Sequence, residues 1–404
     1  MTGLAFARLG DVAQYLRGIN FKPDDVVPVG TPGTVACMRT KNIQESLDCS
    51  DVWGVSEGFV RRPEQILKEG DILVSSANSW NLVGKCCWIP SLPWKSSFGG
   101  FVSALRADPA QLSPRFLYWW FSSDRTQALL RSFGQKTTNI SNLSAERCMN
   151  LRVPLPALPE QRRIAAILDQ ADALRAKRRE ALAQLDSLTQ SIFIEMFGDP
   201  VSNTKGWPDS TKLGQVAHIV SGVTKGRNLT GKTTRTVPYL AVANVQDKSL
   251  SLSAVKVIEA TEDEISRYRL ELDDLLLTEG GDPDKLGRGT LWKNELPECI
   301  HQNHIFRVRL TSDKLTPLFL NWLVGSQRGK KFFLRSAKQT TGIASINMTQ
   351  LRSFPLLLPP IELQRRFTQH AAALAEQQSS HVASLAALDA LFASLQHRAF
   401  RGEL

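Results

Sequence analysis

Gly226-Arg227-Asn228-Leu229-Thr230-Gly231-Lys232-Thr233 fits the spacing GxxxxGK[ST], in which backbone N–H groups cradle phosphates and the lysine reaches them. That chemistry needs a strand before the glycines and, after them, a helix whose N-terminus faces the anion. The next residues are Thr234-Arg235-Thr236-Val237-Pro238-Tyr239-Leu240, β-branched and proline-containing, which predicts a strand. The stretch therefore reads as a flexible basic loop. Other catalytic signatures are missing. No lysine has Asp or Glu two residues before it, so the D/E-x-K half of a metal-nuclease site is absent. There is no GxSxG and no HExxH, and the histidines and cysteines show no zinc spacing. His301 and His304 stand three apart in strand-like sequence, which puts them on opposite faces. A glycine-rich S-adenosylmethionine loop and a DPPY- or NPPF-like aminomethyltransferase motif are also lacking. The expectation is a non-catalytic chain without a metal site.

The elements that position these residues come from a duplication. Shifting the chain by 203 residues lays Gln161-Arg162-Arg163 on Gln364-Arg365-Arg366, Phe116-Leu117 on Phe319-Leu320, and Asp71-Ile72-Leu73 on Asp274-Leu275-Leu276. With slips of one residue, Asn42 meets Asn244. A repeat of this length decides the architecture. After each globular stretch comes a long helix. The first covers residues 160–197, led in by Pro154, Pro156 and Pro159 and stopped by Gly198-Asp199-Pro200. Ile164, Ala171, Leu185 and Ile192 share one heptad position, and Ile167, Leu174 and Leu188 the other, so a coiled-coil seam is expected. The second helix carries Phe367, Leu374, Leu388, Leu391 and Leu395 in the same frame. About 37 residues at ~1.5 Å each make a rod of roughly 55 Å. Two exposed seams on one chain are best buried against each other, antiparallel. The expected fold class is α+β: two tandem mixed α/β units separated and followed by long helices that pair as an antiparallel coiled coil. The divisions are 1–152, 153–200, 201–354 and 355–404. Each unit is expected to carry short strands and one apolar helix, over Pro114–Leu130 and Pro317–Phe333.

Net charge is +10. Residues 1–150 hold 16 basic and 13 acidic residues, residues 201–353 hold 22 and 15, and the two helical segments are neutral. Two basic bodies on neutral helices fit a protein that touches a polyanion at two places. Apolar runs such as Phe116-Leu117-Tyr118-Trp119-Trp120-Phe121 fall far short of the ~18 residues a membrane span needs. Residues 1–8 lack a signal-peptide pattern, and the six cysteines fit free thiols, so a reducing cytoplasm is expected.

The proline-rich lead into Glu160-Gln161-Arg162-Arg163-Ile164-Ala165-Ala166-Ile167-Leu168, its copy at Leu358-Pro359-Pro360 and Gln364-Arg365-Arg366, and the strand Gln302-Asn303-His304-Ile305-Phe306-Arg307-Val308-Arg309 together resemble the specificity subunit of type I restriction–modification systems. The resemblance covers the whole chain. It implies two target-recognition domains, each reading half of a bipartite double-stranded DNA target, and spacer helices that set the distance between them. It implies two methyltransferase subunits as partners and, where present, restriction or motor subunits. S-adenosylmethionine, and ATP with Mg2+ for a motor, would be bound by those partners and not by this chain. Because the loops differ, with Asn78-Ser79-Trp80-Asn81 standing where the second unit has Gly280-Gly281-Asp282-Pro283-Asp284, the target is expected to be asymmetric.

Groove readout favours Arg, Lys, Asn and Gln, with further lysines on phosphates. The expected DNA-binding residues are Arg39, Lys41, Asn42, Asn78, Asn81, Lys85 and Lys136 in the first unit. In the second they are Lys225, Arg227, Lys232, Asn244, Arg288, Gln302, Asn303 and Lys338. The matched pairs Asn42/Asn244 and Lys85/Arg288 have an alternative role in holding the shared fold. Two other readings stay open: a P-loop ATPase at 226–233, and a coiled-coil scaffold without sequence-specific DNA readout.

Overall fold

A computed structural model describes residues 5–404 except 134, 137–139, 283–285 and 341–342; of 135–136, 338–340 and 343 it describes the backbone alone. The chain forms two compact units, one of residues 1–180 with 383–404, the other of residues 181–382.

In the first unit a four-stranded antiparallel sheet orders Ala13–Arg17, Val102–Ala107, Ile72–Ser75 and Cys86–Trp88. The run Ile72-Leu73-Val74 is apolar without alternation, as suits a strand covered on both faces. Ile72 and Val74 join the core formed with Phe116, Trp120 and Phe121, while Leu73 packs on the other side against Met38 and Phe98. Those two belong to a second sheet, ordered Val26–Pro28, Trp53–Ser56, Thr34–Met38 and Ser96–Phe98. The other unit repeats the plan at the same offset. Ala217–Ser221, Ile305–Leu310, Leu275–Thr278 and Gly289–Leu291 form its main sheet. Leu275 and Leu277 face one cluster and Leu276 the other.

The single apolar helix expected in each unit is two helices, Pro114–Phe121 and Asp124–Ser132, then Pro317–Gly325 and Gln327–Ser336. Matched serines make the break. Ser123 Oγ donates to the Trp120 carbonyl at 2.7 Å and Ser326 Oγ to that of Leu323 at 2.6 Å. Such side-chain bonds compete with the helical ladder and favour a new N-terminus.

Two long helices come after these, Leu158–Phe197 and Ile361–Ala399. In the first unit the start of one lies antiparallel to the end of the other, since Arg163 donates to the Leu404 carbonyl and Arg175 pairs with Asp389. In the second unit Asp186 accepts from Gln378, and Phe193 and Phe197 pack on Phe367. Expected seam residues Ile164, Ala171 and Phe367 are buried, and Ile167, Leu185, Ile192, Leu374, Leu388 and Leu395 half-buried. Leu174, Leu188 and Leu391 correct the expectation, for they are about half exposed at 53%, 46% and 50%. The buried stripe takes Ala165, Leu168 and Phe392 instead. Each helix end packs on a globular core as well as on its partner, so the stripe is wider than a two-helix seam and turned toward that core.

One side chain docks each helix on its unit. Gln161 is wholly buried; it accepts from the Ser113 amide and donates to the carbonyls of Gln111 and Pro156. Gln364 repeats all three bonds, with Thr316, Lys314 and Pro359. The Ser113 amide is buried and the two carbonyls part-buried, and leaving such groups unpaired is costly. Gln161→Ala is expected to lower the stability of the first unit by about 3 kcal/mol in urea denaturation. Its exposed neighbour variant Arg162→Ala should change it by less than about 0.5 kcal/mol; equal effects would remove the docking role.

Candidate nucleic-acid interface

In each unit a small three-stranded sheet extends from the strand that comes after the Asp71 or Asp274 turn. In the first it orders Gln135–Lys136, Ser141–Asn142 and Ala77–Asn78. Its counterpart orders Lys338–Thr340, Ile343–Ser345 and Gly280–Gly281. The register places Lys136 and Asn78 on either side of Ser141, and Lys338 and Gly280 on either side of Ser345. Expected DNA-binding positions from distant parts of the sequence are thus brought into one row. The side chains of Lys136 and Lys338 lie outside the described residues, as do most of the polar loops between their strands.

Nearby, Asn78 donates to Ser75 Oγ and Asn81 accepts from Ser79 Oγ, which shapes the 78–81 turn. Lys85 donates to Gln44 at 2.7 Å, and Arg288 to Gln246 at 3.1 Å. These matched bonds tie a half-exposed cation to the neighbouring loop in both units. Gln302 and Asn303 are half-buried in a turn whose backbone is bonded to Leu240 and Val223.

Burial decides one matched pair in favour of its alternative role in the shared fold and against DNA contact. Asn42 accepts from the Arg39 amide and donates to the carbonyls of Asp48 and Asp51. Asn244 does the same with Ala241, Ser251 and Ala254. Both are buried with their amides already committed, so they close loops and offer nothing to a base edge. Arg39 is also held inside: it pairs with Asp51 and stacks 3.5 Å from the Trp53 ring centroid. Lys41 shares Asp51 from a more exposed position.

In the second unit, Gly226–Thr233 is a loop that leads into the strand Arg235–Leu240; the helix a phosphate-cradling loop requires is not there. Arg227 is turned inward, bonded to Glu264 and to the carbonyls of Thr224 and Glu259. Lys225 lies over the Tyr239 ring at 5.3 Å, beside a shallow pocket of about 420 Å³ that Lys256 also lines. Lys232 is exposed on the same loop. Of the two histidines, His301 is buried, its Nδ1 facing the Ile305 carbonyl at 2.9 Å; burial lowers its pKa to about 3. His304 is exposed and pairs with Glu279.

The duplicated frame with divergent outer loops has relatives. The sequence matches the type I restriction modification DNA specificity domain over residues 2–184 and again over 205–384. The chain belongs to that family. It is similar to the specificity subunit of the type I restriction enzyme StySPI from Salmonella potsdam, 26% identical across 100% of this chain and 89% of the relative. Similarity to the EcoKI specificity subunit of Escherichia coli strain K12 is of the same extent, 26% identical with the same coverage. Among solved structures, the fold resembles a chain from a study of complex assembly and conformational transition of the type I system. That TM-score is 0.58 at 19% identity, covering 100% and 99% of the two chains. The S subunit of the type I restriction-modification system from M. genitalium gives 0.56 at 16% identity, with 99% and 97% covered.

As a type I specificity subunit the chain is a non-catalytic, DNA-sequence-specificity component. Among its described residues, no group of three or more His, Cys, Asp or Glu gathers as metal ligands. The expected DNA-binding residues did not include Trp80, Phe101 or His304, all of which are exposed; the tryptophan reads by default as a packing residue, and His304 entered only with His301 and in the strand Gln302–Arg309. The repeat itself held the signal, because the 203-residue shift lays Phe101 on His304.

The Arg227–Glu264 bond has a pH signature. Hydrogen bonding from Arg227 holds the Glu264 carboxyl at about 2, against an ordinary 4.5. A depressed folded value means that its contribution is full above about 4.5 and is lost as pH falls toward 2. Thermal unfolding of wild type and Glu264→Gln should differ at pH 5.5 and converge as pH approaches about 2. A gap independent of pH would show that the ion pair does not anchor this loop.

Proposed function

We propose that this chain reads an asymmetric, two-part sequence in double-stranded DNA, one unit to each half. In this reading residues 1–152 and 201–354 are the recognition domains, and 153–200 and 355–404 the spacer helices between and after them. The carrying observation is that the two units share buried bonds residue for residue while their outer loops differ. Arg106 chelates Asp71 and reaches the Ile66 carbonyl. Arg309 chelates Asp274 and reaches that of Arg269. A common frame with unlike tips suits two specificities on one fold.

The reading assigns DNA contact to Lys41, Asn78, Asn81, Lys85, Lys136, Lys225, Lys232, Arg288, Gln302, Asn303 and Lys338. The helices fix the half-site spacing, with half-sites about one turn of duplex (~34 Å) apart, and two adenine methyltransferase subunits dock on the assembly. S-adenosylmethionine belongs to those partners, and ATP with Mg2+ to a restriction subunit where one joins. The complex acts in the cytoplasm.

The test is adenine-methylation mapping across the genome of cells that co-express the chain with its methyltransferase partner. A new bipartite motif requiring both proteins is expected. Replacing residues 201–353 with another unit should change one half of it only. If methylation is the same without this chain, the reading fails and a scaffold role replaces it.

A further inference from the structure

The shared frame ends in a pair of matched turns. Gly99-Gly100-Phe101-Val102 is closed by the Val102 amide on the Gly99 carbonyl, and Gln302-Asn303-His304-Ile305 by the Ile305 amide on that of Gln302, both at 2.9 Å. The third residue of each turn is tied in the same way. The Phe101 carbonyl accepts from the amide of Ser76, and the His304 carbonyl from that of Glu279, each at 3.0 Å. Ser76 and Glu279 in turn accept from Leu143 and Ile346, the residues just after the strands Ser141–Asn142 and Ile343–Ser345 of the small sheets. These backbone bonds are shared by both tips, whereas the side chains differ.

Phe101 is 67% exposed. Trp80 and Ile140 are exposed too, and lie close along the fold: Ile140 precedes Ser141, which pairs with Asn78, and Trp80 is in the turn that follows, closed by the Leu82 and Val83 amides on the Ser79 carbonyl. Solvent exposure of several large apolar residues together marks a contact surface. Lys85 and Lys41 belong to the same unit, whose excess charge is positive, and the family's ligand is DNA. At the matched tip His304 is 56% exposed, with Nδ1 2.5 Å from Glu279 and Asn303 Nδ2 3.4 Å from Nε2. One tip is apolar, the other a hydrogen-bonding triad.

We propose that Phe101 and His304 are the matched positions through which each unit discriminates bases in its own half of the target. Phe101 does so by apolar contact with a thymine methyl group, and His304, oriented by Glu279, by hydrogen bonding to a base edge. In the major groove the thymine methyl is the one apolar feature a base pair shows, and Phe is suited to it, whereas ring nitrogens and carboxylates match base donors and acceptors. The proposal rests on the reading of one unit for each half-site.

The test uses the full chain assembled with its own methyltransferase subunit, binding the mapped target and every single-base variant of it. Phe101→Ala should reduce discrimination at one T·A pair of the first half by about fourfold and Phe101→Leu by less, both leaving the second half unchanged. Deoxyuridine in place of that thymine should weaken wild type by a similar factor and add nothing in Phe101→Ala. His304→Ala should relax one position of the other half only. Unaltered ratios in both halves, or equal losses on target and non-target DNA, overturn the proposal while leaving a bipartite wild-type motif intact. A wild-type motif with a single part overturns the two-half reading itself, and this proposal with it.

Discussion

Everything outside the two cores hangs on a buried glutamine. A long helix with a thin apolar stripe slides and rotates easily against whatever it touches. Gln161 removes that freedom by binding one amide and two carbonyls of the first unit, and Gln364 does so in the second. The Ser113 and Thr316 amides are N-cap groups of the helices Pro114–Phe121 and Pro317–Gly325, so one bond in each set also completes a helix end, while the Pro156 and Pro359 carbonyls tie the glutamine to its own helix's lead-in. Register and rotation of each long helix on its own unit result from three bonds that only one rotation satisfies. A polar anchor is better suited to this than more leucine, because apolar contact has no direction.

The same division between directional frame and variable tip runs through the units. The Arg–Asp chelates, the buried asparagines and the serine breaks recur at an offset of 202 or 203 residues, each with its bonds repeated. Charged and amide groups placed inside must find partners or destabilise the fold, so these residues are constrained together. Phe101 and His304 sit on the same backbone without that constraint. Their exposure leaves the side chain open to whatever chemistry the ligand demands.

That division explains how much of the site could be read in advance. Residue chemistry nominated Arg, Lys, Asn and Gln, and it could not separate those that face solvent from those spent on the frame. Asn42 and Asn244 could be DNA-binding or part of the shared fold and are loop closers; Arg227 was expected on DNA and is a partner of Glu264. An amide or guanidinium serves either purpose, and which one it serves depends on carbonyls and carboxylates far away in the sequence. Phe101 was missed for the opposite reason, since a phenylalanine is assigned to a core by default.

The sequence by itself determined the duplication, the places of the two long helices, and the resemblance to type I specificity subunits. These are local or periodic properties, set by backbone sterics, proline and glycine stops, and runs of apolar side chains. Only the tertiary structure decided that Leu174, Leu188 and Leu391 leave the buried stripe, that each predicted apolar helix breaks at a serine, and that Phe101 and His304 stand exposed on their turns. Those outcomes depend on which surface arrives opposite a residue. A helix end that meets a globular core as well as another helix is buried over a wider arc than its heptads announce.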